Sequence, residues 1–328
     1  MRVTKRHLRI LIILWVSNFS LPAMGQTIDP LTARVELEDA ERFALLFEDF
    51  DGAPTAEQLQ NRYLEFGGRA LEIFTPGRII SAQNLAAKIA ENPDTYRDAI
   101  ERCLPIIRQT EDELRSIYLA FRGLLPEQSL PRIAVVFGGL NSGGTAESDM
   151  QVLGLEVLCS IAADEAAFRA IMRTFYAHET VHTFQRFGGP KVDADPMLTA
   201  AINEGTADYL AALVTGTVPD PSRDDWASAN RHFVLQEFTR DLAKVRDAGL
   251  DADLRNAAFF RWFANAGSSP EGWPSELGYW VGMQISKGYV ENAPDRRAAI
   301  RELLAFNDPA EILARSGVEL PVLTASNP

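Results

Sequence analysis

The stretch FYAHETVHTFQ, residues 175–185, places two of the chain's four histidines within five positions, in the order H-E-x-x-H. Ile171, Phe175, His178 and His182 fall at i, i+4, i+7 and i+11, so the spacing predicts one helix whose apolar stripe the histidines continue inward. Two imidazoles one turn apart can share a single Zn²⁺, and Glu179 on the same turn can reach the metal's open position as a general base. The plainer reading is a pair of core histidines bonded to backbone carbonyls. That reading leaves the glutamate between them without a purpose.

A catalytic zinc needs a third protein ligand. MLTAAINEGTADYLAALVTG, residues 197–216, predicts a second helix on which Glu204 follows His182 and shares a face with Asp208 at i+4. The short link GGPKVDADP would fold this helix back on the first as an αα-hairpin, with Ala200, Ala201, Gly205 and Ala207 permitting close approach. Two carboxylates one turn apart usually mark a solvated face. Here they lie in an apolar segment where an unpaired charge is costly, which points to Glu204 on the metal and Asp208 accepting from a ligating imidazole.

H178-E-T-V-H182 followed by N203-E-G-T-A-D208 resembles the gluzincin metallopeptidases. More closely, the chain is similar to the bacterial predicted zinc-dependent proteases related to gliding-motility lipoproteins. The similarity is carried by VVFGGLNSGGTA, HETVHTFQ, INEGTADY and the later LGYWVGMQISKGYV, and spans about residues 120–305. It implies one Zn²⁺ per chain, a peptide or protein substrate and a mainly α (α+β), zincin-like metallopeptidase fold with a small β-sheet and an HExxH active-site helix. In such a mechanism a tyrosine or histidine often assists the oxyanion. Tyr279 in SELGYWVGMQ is the candidate, with core packing as its other reading. His232, among charged neighbours in SANRHFVLQEF, reads as a solvated helix position.

The first 25 residues carry four basic side chains, a short apolar run from Ile10 to Val16 and small residues up to Gly25. That order predicts a secretory signal peptide, a mature chain from Gln26 and a periplasmic or secreted location. Unlike some of the lipoproteins it resembles, the chain has no cysteine at this point to carry a lipid. Removing those residues shifts the formal charge from -13 to -17, a balance that disfavours nucleic acid and anionic lipid as partners. No later segment is long and apolar enough to span a bilayer. Cys103 and Cys159 would meet an oxidising compartment, where a disulfide or two buried thiols are both open.

Residues 26–125 read as a helical region, with helical patterns at 33–49, 55–65, 81–91 and 95–122. Residues 126–328 read as the catalytic region, packed with the first as one unit. It begins with the strand PRIAVVFGG, 131–139, and continues with helices at 163–187, 197–214, 224–247, 274–290 and 295–305. The loop FGGLNSGGTA nearly fits a phosphate-binding pattern, but Gly144 stands where the lysine should be. Gly138, Gly139, Gly143 and Gly144 are instead candidates for a substrate-binding edge that pairs with a peptide backbone. Two readings compete with a peptidase: a silent zinc-containing binding module of the cell envelope, and a zinc hydrolase of a non-peptide bond.

Overall fold

Val35 and Ile133 lie far apart in sequence, yet they pair side by side in a small sheet. The computed structural model describes residues 28–322, so the signal-peptide segment lies outside the described residues. The chain is mainly helical with one mixed four-stranded sheet. Its strands are β1 (Val35–Glu36), β2 (Arg132–Val136), β3 (Gly144–Ala146) and β4 (Met150–Gly154), in the spatial order β1-β2-β4-β3. β1, β2 and β4 are parallel, whereas β3 runs antiparallel to β4 and forms an edge. β4 is buried along its whole length, as expected of a parallel strand covered on both faces.

The helices that matter for the site are α1 (Glu38–Asp49), α2 (Glu111–Leu124), α3 (Glu165–Phe184), α4 (Pro196–Thr215), α5 (Pro221–Ala229) and α6 (Leu277–Asn292). α1 packs on β2, where Phe43 stacks on Phe137 with ring centroids 4.3 Å apart. The hydroxyls of Tyr63 and Tyr96 donate to the carbonyls of Phe137 and Gly138 at 2.9 and 2.7 Å, pinning the exit of β2. α3 lies against β3 and β4, and Gln151 Nε2 of β4 donates to Thr180 Oγ1 of α3 at 2.7 Å. The sheet therefore sets the height of the H-E-x-x-H helix.

Several elements differ from the periodicity reading. The expected helix at 33–49 starts only at Glu38, because Val35 and Glu36 are drawn into the sheet and Glu36 is held by both ends of the Arg132 fork at 2.6 Å. The segment 95–122 is helical but not one regular helix, a run of short α-, π- and 3₁₀-helical pieces that ends in α2, and 224–247 breaks at Asn230. β3, β4 and the helices Ala252–Phe260 and Pro309–Ser316 were not expected. Cys103 and Cys159 form a disulfide with Cα atoms 6.0 Å apart. It links the N-terminal helical region to the short helix Leu155–Ser160 that follows β4.

The expected close approach on α4 is real but faces another partner. Gly205 abuts α6 rather than α3: a Cβ on Gly282 would lie 1.6 Å from the Ala201 carbonyl oxygen, and one on Gly205 would lie 1.9 Å from Gly282 C. Backbones this close tolerate no side chain between them. One turn on, the hydroxyls of Thr206 and Ser286 meet at 2.9 Å.

Glu156 is fully buried behind the glycine loop, accepting from the backbone N–H of Leu140 at 3.3 Å, and its other oxygen has no partner. Burial pushes its carboxyl up to about 7, against the pull of nearby backbone N–H groups. The fold thus favours the neutral acid, so its stabilising effect is complete below pH 4.5 and is lost as pH rises to about 7. Thermal melting across that window should show a decline in the natural protein that Glu156→Gln lacks; parallel curves would refute this assignment.

Candidate metal centre

Asp164 caps α3 by accepting from the Ala167 N–H at 2.8 Å, and the helix runs unbroken to Phe184, where Gln185 turns extended. The fully buried stripe of α3 is Phe168, Met172, Tyr176 and Thr180. Ile171, Phe175, His178 and His182 lie beside that stripe, half-buried, rather than on it. The histidines consequently line a cleft between α3 and α4 instead of the core.

Hydrogen bonds define the state of each imidazole. His178 Nδ1 lies 2.8 Å from Asp208 Oδ1, and a carboxylate only accepts, so Nδ1 carries the proton. His182 Nδ1 lies 2.7 Å from Gln185 Oε1, whose amide Nε2 donates to the Asn203 carbonyl at 2.8 Å, so this Nδ1 is protonated too. Both Nε2 atoms then present lone pairs. They lie 3.0 Å from each other and 3.4 and 3.2 Å from Glu204 Oε2. The other Glu204 oxygen accepts from Asn203 Nδ2 at 3.0 Å, which aims Oε2 at the histidines.

Three acceptors crowded into a triangle repel one another unless a cation sits among them. Zinc bonds of about 2.0 Å at tetrahedral angles require donor atoms about 3.3 Å apart, close to the spacing seen here. The residues therefore fit a divalent metal held by His178, His182 and Glu204. Without a metal, protons take its place. Burial works to push both imidazoles down, but Asp208 and Glu204 raise His178 well above its usual value, and Glu204 raises His182. Burial works to raise Glu204, and His182 and His178 overcome it and hold the carboxyl well below the usual range.

Asp208 is buried and receives a second bond from Arg223 of α5, itself buried. Arg223 also lies over the Tyr279 ring at 5.1 Å, and that ring is parallel to the His178 imidazole, with centroids 5.9 Å apart. Tyr279 thus reaches the cleft from α6. Burial, then the nearby Glu204 carboxylate, raises its hydroxyl well above the ordinary phenol value, so it stays a proton donor. Glu276, just before α6, has a left-handed backbone at φ 57°. Its N–H donates to Asn265 Oδ1 at 2.7 Å, and burial raises its carboxyl.

Glu179 is buried, with 7% of its surface exposed. Gly144 of β3 makes room for it, since a Cβ there would lie 2.7 Å from Glu179 Oε1. The other glycines pack elsewhere: Cβ atoms would meet the Phe74 ring at Gly138, the Arg78 carbonyl at Gly139, and Leu158 and Phe175 at Gly143. Gly138 and Gly139 are buried, so only Gly144 of the four stands beside a candidate catalytic group. His232 is exposed, as its charged neighbours suggest.

Arg223, Asn203 and Glu276 have no spacing that ties them to the histidine pair. Gln185, at i+3 from His182, carried the one available signal. No family model, curated protein or solved structure matches the chain.

Proposed function

We propose that the protein is an exported zinc-dependent metallopeptidase of zincin-like fold that hydrolyses peptide bonds. The observation that carries this reading is a buried glutamate beside three converging metal donors. His178, His182 and Glu204 would hold the ion. When bound, it would supply Lewis acidity and bring the pKa of a water ligand towards 7. Glu179 accepts the proton of the attacking water as the water oxygen bonds to the peptide carbonyl carbon. The C–N bond then breaks, and Glu179 returns the proton to the departing amine nitrogen. Asp208 and Gln185 keep both Nδ1 atoms protonated, so the Nε2 lone pairs stay available. Tyr279 is the donor placed to stabilise the oxyanion. β3, the edge strand beside Glu179, offers an extended peptide a backbone to pair with.

Protein purified from its native host should contain one zinc per chain by elemental analysis and begin near Gln26 by intact mass. Glu204→Gln should weaken zinc retention markedly, since it replaces an anionic ligand. Zinc-free protein that takes none up from solution would end this reading.

A further inference from the structure

Arg78 lies in the N-terminal helical region, in the irregular segment Thr75–Ile79 that interrupts the helices before residue 82. Its backbone is firmly held. Gly77 and Ile80 both have positive φ, at 80° and 70°, Asn141 Nδ2 donates to the Gly77 carbonyl at 3.1 Å, and Asn84 Nδ2 donates to the Ile79 carbonyl at 2.9 Å. Gly139 is bare because the Arg78 carbonyl oxygen would lie 2.6 Å from any Cβ placed there. The glycine loop thus seats Arg78 at one end and Glu179 at the other.

The side chain is less well satisfied than its backbone. The guanidinium sits 5.9 Å from the centre of the Phe74 ring, and Nη1 reaches the Pro76 carbonyl only at 3.5 Å. Nε is buried with no hydrogen-bond partner, and among the described residues no carboxylate forms an ion pair with Arg78. Arg102, Arg132, Arg223 and Arg261, by contrast, each engage a carboxylate. Burial pulls the Arg78 guanidinium below its ordinary value, and the negative charge of Glu179 opposes this. A half-buried, unpaired guanidinium is costly unless something binds it.

We propose that Arg78 is the anion-binding group of the cleft and takes a carboxylate of the peptide substrate, either its C-terminus or an acidic side chain near the cleaved bond. This deepens the peptidase reading and rests on it. The guanidinium fork matches a carboxylate with two parallel hydrogen bonds, which an ammonium or an amide cannot reproduce. On a chain of net charge -13, an acidic peptide is repelled by most of the surface, and a local cation selects where it docks. The N-terminal region then supplies substrate selection to a centre built by α3 and α4.

The test uses one pooled library of N-acetylated hexapeptides in three forms: free acid, C-terminal amide, and C-terminal amide with one internal Asp. Each form is measured for cleavage by the zinc-loaded protein and by Arg78→Gln and Arg78→Lys. Each is also measured for binding to zinc-loaded Glu179→Gln with and without Arg78→Gln. The natural protein should favour one carboxylate-bearing form over the neutral amide by about 10- to 100-fold in kcat/KM, the worth of a charge-assisted pair. Arg78→Gln should erase that preference while the protein keeps its zinc, and Arg78→Lys should restore only part of it. Preference for the free acid assigns the carboxylate to the chain terminus, and preference for the internal Asp assigns it to a side chain. Equal cleavage or binding of all three forms overturns the subsite while leaving the peptidase intact. Should nothing be cut, an Arg78-dependent carboxylate preference in binding would still uphold the subsite and count against the peptidase.

Discussion

Glu179→Gln should lower the turnover of any peptide the natural protein cleaves by about 10²- to 10⁴-fold, the usual contribution of general-base assistance. The change is nearly isosteric and removes only the group proposed to accept the water's proton. Glu179 makes no hydrogen bond or ion pair to another side chain among the described residues, so no structural partner is orphaned by it. Zinc content and melting temperature should therefore match the natural protein. The comparison needs stopped assays with a cleaved library peptide, elemental analysis and a thermal scan of both proteins. A variant that keeps its metal and cuts at the original rate removes Glu179 from the mechanism.

Gly282→Ala should be among the most damaging single substitutions in the molecule. The added methyl would sit 1.6 Å from the Ala201 carbonyl oxygen, so two helix backbones must move apart. No flexible side chain is available to yield. Overpacking of this kind costs about 3 kcal/mol or more, and here it also pushes on the residue next to Glu204. Denaturant titration should show the loss, and weaker zinc binding should accompany it. Alanine at Gly188, whose Cβ would meet nothing within 4 Å, is the matched control and should melt near the natural temperature. A Gly282→Ala protein as stable as the control would show that the two helices are free to separate.

Features written in local spacing were legible in the sequence. His178, Glu179 and His182 sit on one helix, Glu204 and Asp208 share a face of the next, and the structure brings the two histidines and Glu204 together, with Asp208 on His178. What failed to show was whatever depends on a distant partner. Val35 and Glu36 read as helix because their strand partner arrives only at residue 133. Gly205 was recognisable as a site of close approach, but nothing in its neighbourhood says that Gly282 is the residue approached. Arg223 reaches Asp208 from a separate helix, and Arg78 meets the glycine loop from a distant segment of the chain, so neither has a spacing to read. The glycine run suggests one binding edge, whereas its glycines answer four different steric demands.

The Cys103–Cys159 bond gives the protein's assembly a calendar. A reducing cytosol keeps thiols apart, so a chain delayed there would lack the tie between its N-terminal helices and the region after β4. For an exported chain, crossing the membrane and closing this bond become consecutive events. On the proposed export route, the N-terminal helices are tied to the region after β4 only once the chain has reached an oxidising compartment. A precursor that lingers inside would hold the same donors without that covalent tie, and if the proposed peptidase reading holds, a cutting site would then mature away from the cell's own proteins.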